Sequence, residues 1–353
     1  MNPRPRFQSF LPNAPRSGLL SVTNRGTMAM NFAMDIGSKT KPSISVVVPV
    51  YNSELILPDL IKRMQPVLAQ ICSEYEVIFV NDASRDRSWN VIQEHSSRLD
   101  WVRGICLMRN YGQHNALLCG IRAARFEIIM TMDDDLQHPP EEIPKLLDKL
   151  LEGYDVVYGY PQHQPHGFLR GMASEMTKLA LQNSMGADTA RHVSAWRIFR
   201  TEMRNAFAGY HSPFVSIDVI LTWATTRFVA IQVRHDPRAH GQSNYTVYKL
   251  FTHAMNMVTG FSTLPLQLAN LLGFICTGFG GLVLIFVVGR YLIHGTGVQG
   301  FTFLASTIAI FSGAQLLALG IIGEYLARMH FRTMERPPYT VREEVDVRRK
   351  EPA

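Results

Sequence analysis

Two long stretches without a formal charge constrain this 353-residue chain more than any other feature. From Phe251 to Gly289 there is no Asp, Glu, Lys or Arg, and after Arg290 the next charge is Glu324. A helix on a soluble surface needs a polar face; one that is apolar all round needs a core or a bilayer around it. Residues 264–289 and 301–323 each supply the roughly 20 residues that cross a hydrocarbon core. The expectation is a two-helix membrane hairpin. Lys249 precedes the first span, and Arg328, Arg332, Arg336, Arg342, Arg348, Arg349 and Lys350 follow the second, while the connecting YLIHGTGVQG has no Lys or Arg. The positive-inside bias then puts both termini in the cytoplasm, with Arg290 snorkelling at the far end.

Upstream the pattern changes. SISVVVPV (43–50), YEVIFVN (75–81), WVRGICLM (101–108), FEIIMTM (126–132) and YDVVYGY (154–160) are short, β-branched apolar runs. Between them lie helix-length segments such as ELILPDLIKRMQPVLAQI and GQHNALLCGIRAAR. Strands alternating with helices predict an α/β domain with a mostly parallel sheet covered on both faces. Ligands of such sheets bind beyond the carboxyl ends of the strands. PVYNSE, NDASRD, RNYGQH and DDDLQ sit at those ends and point to one shared crevice. Residues 1–42, rich in Arg, Pro, Asn, Ser and Met, read as a disordered leader. The α/β domain is expected over 43–240, an amphipathic juxtamembrane region over 241–263, the hairpin over 264–326 and a basic tail over 327–353.

A net charge of +6 favours an anionic partner. Cys72, Cys106, Cys119 and Cys276 lack CxxC spacing and read as reduced thiols. Neither GxGxxG after the first strand nor a Walker loop is present, so an anion must be held by other means. TMDDDLQHPPEEI (131–143) offers one: carboxylates at a strand end can clamp a divalent cation that bridges a diphosphate. Alternation along the chain sends Asp133 and Asp135 to one side and Asp134 away, with the Gln137 amide oxygen as a further hard ligand.

PVYN, NDAS, RNYGQHNAL, DDDLQHPPEEI and EGYDVVYG, followed by RAHGQSNYTVYKL and GIIGEYLARM, resemble the polyprenyl-phosphate glycosyltransferases of glycosyltransferase family 2 over about 43–342. These include dolichol-phosphate-mannose synthase and the bacterial undecaprenyl-phosphate glucosyl- and formamido-arabinosyl-transferases. The resemblance implies a GT-A fold and a single inverting sugar transfer from a nucleotide-diphosphate sugar to a polyprenyl phosphate. It implies that Pro49, Tyr51 and Asn52 contact the nucleotide and Asp82 the base. Asp133 and Asp135, with Gln137, would hold Mg²⁺ or Mn²⁺. Arg197, Arg200, Arg238 and Ser243 would grip the acceptor phosphate, with Asp133, Asp135 and Arg197 at the catalytic centre. A homo-oligomer, with tetramers known among relatives, and hand-off to a flippase and a far-side transferase are also implied.

The residues alone leave alternatives open. Tyr51 also fits a packed strand-end aromatic, Asp82 a helix cap, and RHDPRAHG inner-face charge. Two departures from the family matter. Arg191 stands where many relatives carry an acidic residue, so no base carries over, and Arg191 is expected to help hold the acceptor. Asn81 stands where relatives often have Asp. Gly273, Thr277 and Gly281, and Ala305, Ala309 and Gly313, recur at the interval that suits close helix packing. The rivals are a processive polysaccharide synthase, whose QxxRW motif is absent, and a silent membrane scaffold. Nucleic acid is excluded for want of a motif.

Overall fold

The computed structural model describes residues 41–161, 192–212, 215–236, 264–294, 300–334 and 336–349. The β-branched run Ser43–Val50 forms β1, buried almost throughout. Ile44, Val46 and Val48 face one core and Val47 the other, because helices cover both sides of the sheet. Alternation continues through α1 (Leu57–Ile71), β2 (Glu74–Asn81), α2 (Ser88–Arg98), β3 (Val102–Leu107), α3 (Gln113–Ala123) and β4 (Ile128–Thr131). A 3-10 turn at Pro140–Glu142 leads into α4 (Ile143–Leu151), whose Ile143, Leu146, Leu147 and Leu150 share one buried face. Next come β5 (Val156–Pro161), β6 (Arg197–Arg200), the short α5 (Ile217–Leu221) and β7 (Phe228–Val233).

The sheet has eight strands in the order β7-β5-β6-β4-β1-β2-β3-β8, with β8 at Val341–Val345. β4, β1, β2 and β3 are mutually parallel, as are β5 and β7; β6 and β8 run antiparallel to their neighbours. This mostly parallel sheet, with helices on both faces, has the expected GT-A architecture. Gly120 sets the depth at which α3 packs: a Cβ there would lie 2.3 Å from Val47 Cγ1. Burial pushes the thiols of Cys72 and Cys119 up to about 12. Both are free and buried, as is Cys106; Cys276 is half-buried.

The tail expected over 327–353 contains β8, which supplies the last sheet edge. Its partner strand brings Arg103 into the interior, where Nη1 meets Glu76 Oε2 at 2.7 Å and Nη2 meets Glu344 Oε1 at 2.9 Å. Asp346, just past β8, completes the cluster with Arg103 and Arg125. Buried charges persist only when paired in this way.

Two long helices follow β7: α6 (Leu264–His294) and α7 (Phe301–Thr333). Pro265–Ile293 and Ile310–His330 are long and apolar enough to cross a membrane, and neither apolar window is buried. Ile285 is 71% exposed and Leu292 76%. Near the C-terminal end of that second span, Glu324 and Arg328 form an i,i+4 pair at 2.7 Å. The close approach between the helices is at Gly280, where a Cβ would meet the Phe311 ring at 2.7 Å. Gly273, Gly281 and Gly313, expected to line close packing, have nothing within 4 Å of a Cβ. The 1–42 leader, apart from residues 41 and 42, and the whole 241–263 juxtamembrane region lie outside the described residues.

Candidate active site at the strand ends

The carboxyl ends of β1, β2, β3 and β4 enclose a cleft of about 250 Å³. Pro49, Val50 and Tyr51 contribute from β1 and its loop, Asp82 from just beyond β2, Asn110, Gly112 and Gln113 from the turn into α3, and Asp133, Asp134 and Asp135 from beyond β4. Among the described residues, the non-glycine residues at positive φ are Asn52 (58°), Ala83 (53°) and Leu136 (58°). All three lie in these loops, where backbone strain often accompanies function.

Side chains lock the loops together. Asn52 Oδ1 accepts from Arg85 N–H at 2.8 Å, and Asn52 N–H donates to Ser84 Oγ at 3.0 Å. Asn52 therefore ties the first loop to the second and does not line the cleft. Asp86, not Asp82, turns to the start of α2, accepting from Ser88 N–H at 3.0 Å. Asp82 is buried and uses both oxygens on the third loop, taking Tyr111 N–H at 2.7 Å and Gly112 N–H at 2.8 Å. Burial raises its pKa, and the two amides oppose that rise. Asn81 is buried, its Nδ2 donating to Cys106 Sγ at 3.4 Å and its Oδ1 accepting from Ser84 N–H at 3.3 Å. Tyr51 is 41% exposed at the cleft, so it is not a packed strand-end aromatic.

The acidic triplet departs from simple alternation because β4 ends at Thr131 and the triplet lies in the following loop. Asp133 Oδ1 accepts from Gln113 Nε2 at 2.6 Å. Asp135 is buried, with Oδ1 accepting from Gln137 N–H at 3.1 Å. Asp134, expected to point away, also lines the cleft, its Oδ2 taking the Ser53 hydroxyl at 2.5 Å. Burial lifts its carboxyl to about 6; the Ser53 bond opposes this and the Asp135 charge adds to it. Three carboxylates in one cleft create the field that a hard cation relieves. Among the described residues no three His, Cys, Asp or Glu side chains form a metal-binding group by themselves. Asp133 and Asp135, both lining the cleft, would suit a hard cation, since carboxylate oxygens are its preferred ligands. Gln137 is near them by its backbone, but it is not a lining residue.

The basic residues divide. Arg197 was expected at the acceptor phosphate; its side chain is 2% exposed, with Nη1 2.8 Å from Asp218 Oδ1. Tyr158 Oη donates to the same Asp218 oxygen at 3.0 Å. Arg197 is thus the centre of a buried pair that holds β6 on α5. Arg200 pairs in register with Ile128, whereas Arg197 pairs with Thr131. Three residues of strand, about 10 Å, therefore separate Arg200 from the cleft end of the sheet. Arg191, Arg238 and Ser243 lie outside the described residues. Asn110, Gly112 and Gln113 are cleft residues that motif reading left unassigned, although RNYGQH marked their loop.

Residues 45–216 match the family model described as Glycosyl transferase family 2. Over 303 residues the chain is 35% identical to the undecaprenyl-phosphate 4-deoxy-4-formamido-L-arabinose transferase of Shewanella sediminis, covering 85% of this chain and 92% of that protein. The chain belongs to glycosyl transferase family 2. The transferase of the same description from Pseudomonas fluorescens is 33% identical over 301 residues, covering 84% of this chain and 89% of that one. Among solved structures, this family 2 chain has a looser likeness to glucosyl-3-phosphoglycerate synthase from Mycobacterium tuberculosis. That match is 17% identical with a TM-score of 0.46, over 62% of this chain and 76% of that one.

Proposed function

We propose that this family 2 protein moves one sugar from a nucleotide-diphosphate donor to undecaprenyl phosphate, or a similar polyprenyl phosphate, at the cytoplasmic face of the inner membrane. The observation that carries the reading is the cleft in which Asp133, Asp134 and Asp135 meet the loop residues after β1, β2 and β3. The exposed apolar helices α6 and α7 support a lipid acceptor, as do relatives whose names specify undecaprenyl phosphate.

Pro49 and Tyr51 offer an apolar edge and an exposed ring to the nucleotide, and Asp82 orders the loop opposite them. Asp133 and Asp135 would hold Mg²⁺ or Mn²⁺, with Gln137 beside them. When bound, that cation neutralises the diphosphate and takes up its charge as it leaves. Arg191, Arg238 and Ser243 are assigned to the acceptor phosphate, on the ground that guanidinium forks and a hydroxyl suit its oxygens. A phosphate monoester, with its second pKa near ~6, is largely dianionic at neutral pH and attacks the anomeric carbon without a protein base. One such displacement inverts the centre. The lipid-linked sugar is then available to a flippase and a far-side transferase.

The experiment supplies purified full-length protein, Mn²⁺ and undecaprenyl phosphate with a panel of UDP-, GDP- and dTDP-sugars, and looks for a lipid-linked sugar by mass spectrometry. A single-sugar lipid phosphate supports the reading. A polymer would indicate a processive synthase, and no product from any donor a silent scaffold.

A further inference from the structure

The chain beyond α7 reaches back to the donor cleft. Pairing of β8 with β3 extends to Leu107 opposite Val341. Just past it, Met108 N–H donates to Thr340 O at 2.9 Å, and Arg342 Nη2 donates to Met108 O at 3.2 Å. The Thr340 side chain acts on the Tyr111 phenol, whose pKa it lowers. Tyr339 contacts α3 through Cys119, with the Arg122 guanidinium 5.9 Å from its ring centroid. The loop gripped in this way is the one whose Tyr111 and Gly112 amides hold Asp82 and whose Gly112 and Gln113 line the cleft. Gly112, at φ 91°, takes a backbone shape that L side chains rarely adopt, and its lack of a Cβ lets the turn present both amides to Asp82.

We propose that residues 339–342 form a positioning clasp for the donor site. They hold the 108–113 loop in the shape that presents its amides to Asp82, and so link the end of α7 to nucleotide affinity. The clasp touches no substrate. It rests on the proposed function for the identity of the ligand, a nucleoside diphosphate. A strand that only covered a sheet edge would need its backbone pairing, but not the Thr340 hydroxyl or the Arg342 guanidinium. Both residues are exposed, and their removal leaves the core untouched.

The test is the double variant Thr340→Val/Arg342→Ala in the full chain, assayed for donor KM, kcat, Tm and hydrogen exchange of the peptide spanning 108–115. The clasp predicts a donor KM raised about 3- to 10-fold, the scale of one or two hydrogen bonds. It also predicts nearly unchanged kcat and Tm, and faster exchange in that peptide. Unchanged KM with unchanged exchange overturns the clasp, as does a KM effect accompanied by a matching fall in Tm. If the wild type makes no product from any donor, the proposed function fails and exchange alone decides the clasp: faster exchange at constant Tm supports it, and unchanged exchange refutes it.

Discussion

The same residue types lead opposite lives in the two halves of this molecule. Val46, Val47 and Val48 in β1 are 0% exposed, whereas Ile285 and Leu292 in α6 are 71% and 76% exposed. The sheet domain encloses its own apolar surface, with its buried charges paired or gathered at the strand ends. The hairpin leaves its apolar surface outward, and a continuous patch of that size is not sustained in water. Hydrophobicity alone therefore does not define a core. Its periodicity says whether the protein or a bilayer is the solvent. Damage to the sheet domain should cost turnover or folding while membrane attachment survives, and damage to the hairpin should cost membrane attachment while nucleotide binding survives.

The largest effect is expected at the cleft. Asp135→Ala should lower turnover by about 10³-fold or more, the scale of removing a principal electrostatic stabiliser, while the protein stays folded in the membrane fraction. Retained activity would remove Asp135 from the metal site. Asp346→Ala should come next, because it takes one carboxylate from the buried cluster around Arg103 and Arg125. Breaking a buried pair costs roughly 3 kcal/mol or more, which a denaturant melt of the sheet domain should register. An unchanged midpoint would show that Glu76 and Glu344 suffice. Ile285→Arg tests the other half: a charge inside a span costs up to about 3 kcal/mol of insertion, the value at its centre. Carbonate-extracted membranes should hold less protein, yet UDP binding should persist in detergent; loss of UDP binding would deny the halves their separate roles.

The smallest effect is a pH dependence. Burial raises Asp134 to about 6 from its ordinary 3.8. The folded protein therefore binds this proton more tightly than the unfolded chain does. That contribution is fully present below the unfolded pKa and is lost as pH rises through the folded one. Asp134→Asn keeps an acceptor for the Ser53 hydroxyl and removes the titration. Without divalent cation, the wild-type Tm should fall relative to the variant between pH 4 and 7; a constant difference would contradict the burial.

Much of this was legible in the sequence, for reasons visible in particular residues. β1 to β5 and α1 to α4 announce themselves because apolar runs and helical faces follow one another without interruption. β6 was hidden inside SAWRIFR, whose arginines suggested a phosphate site; Asp218, distant in sequence, claims Arg197 instead. β8 reads VREEV, without an apolar face, and its pairing is decided by Arg103 and by Trp89 and Gln93, which donate to Glu343. Asp134 departs from alternation because that rule holds only in extended chain, and at Leu136 the loop turns through positive φ. The cleft itself was legible, since strand ends carrying polar motifs must converge in a parallel sheet.

The most direct test of the central claim, that the acidic cleft holds a nucleotide diphosphate through a cation, is a calorimetric titration of UDP, GDP and dTDP into the wild-type protein with Mn²⁺ and then with EDTA. The account predicts that at least one nucleotide binds with Mn²⁺ and that its binding collapses in EDTA and in Asp133→Ala. Equal affinity under all three conditions would contradict it.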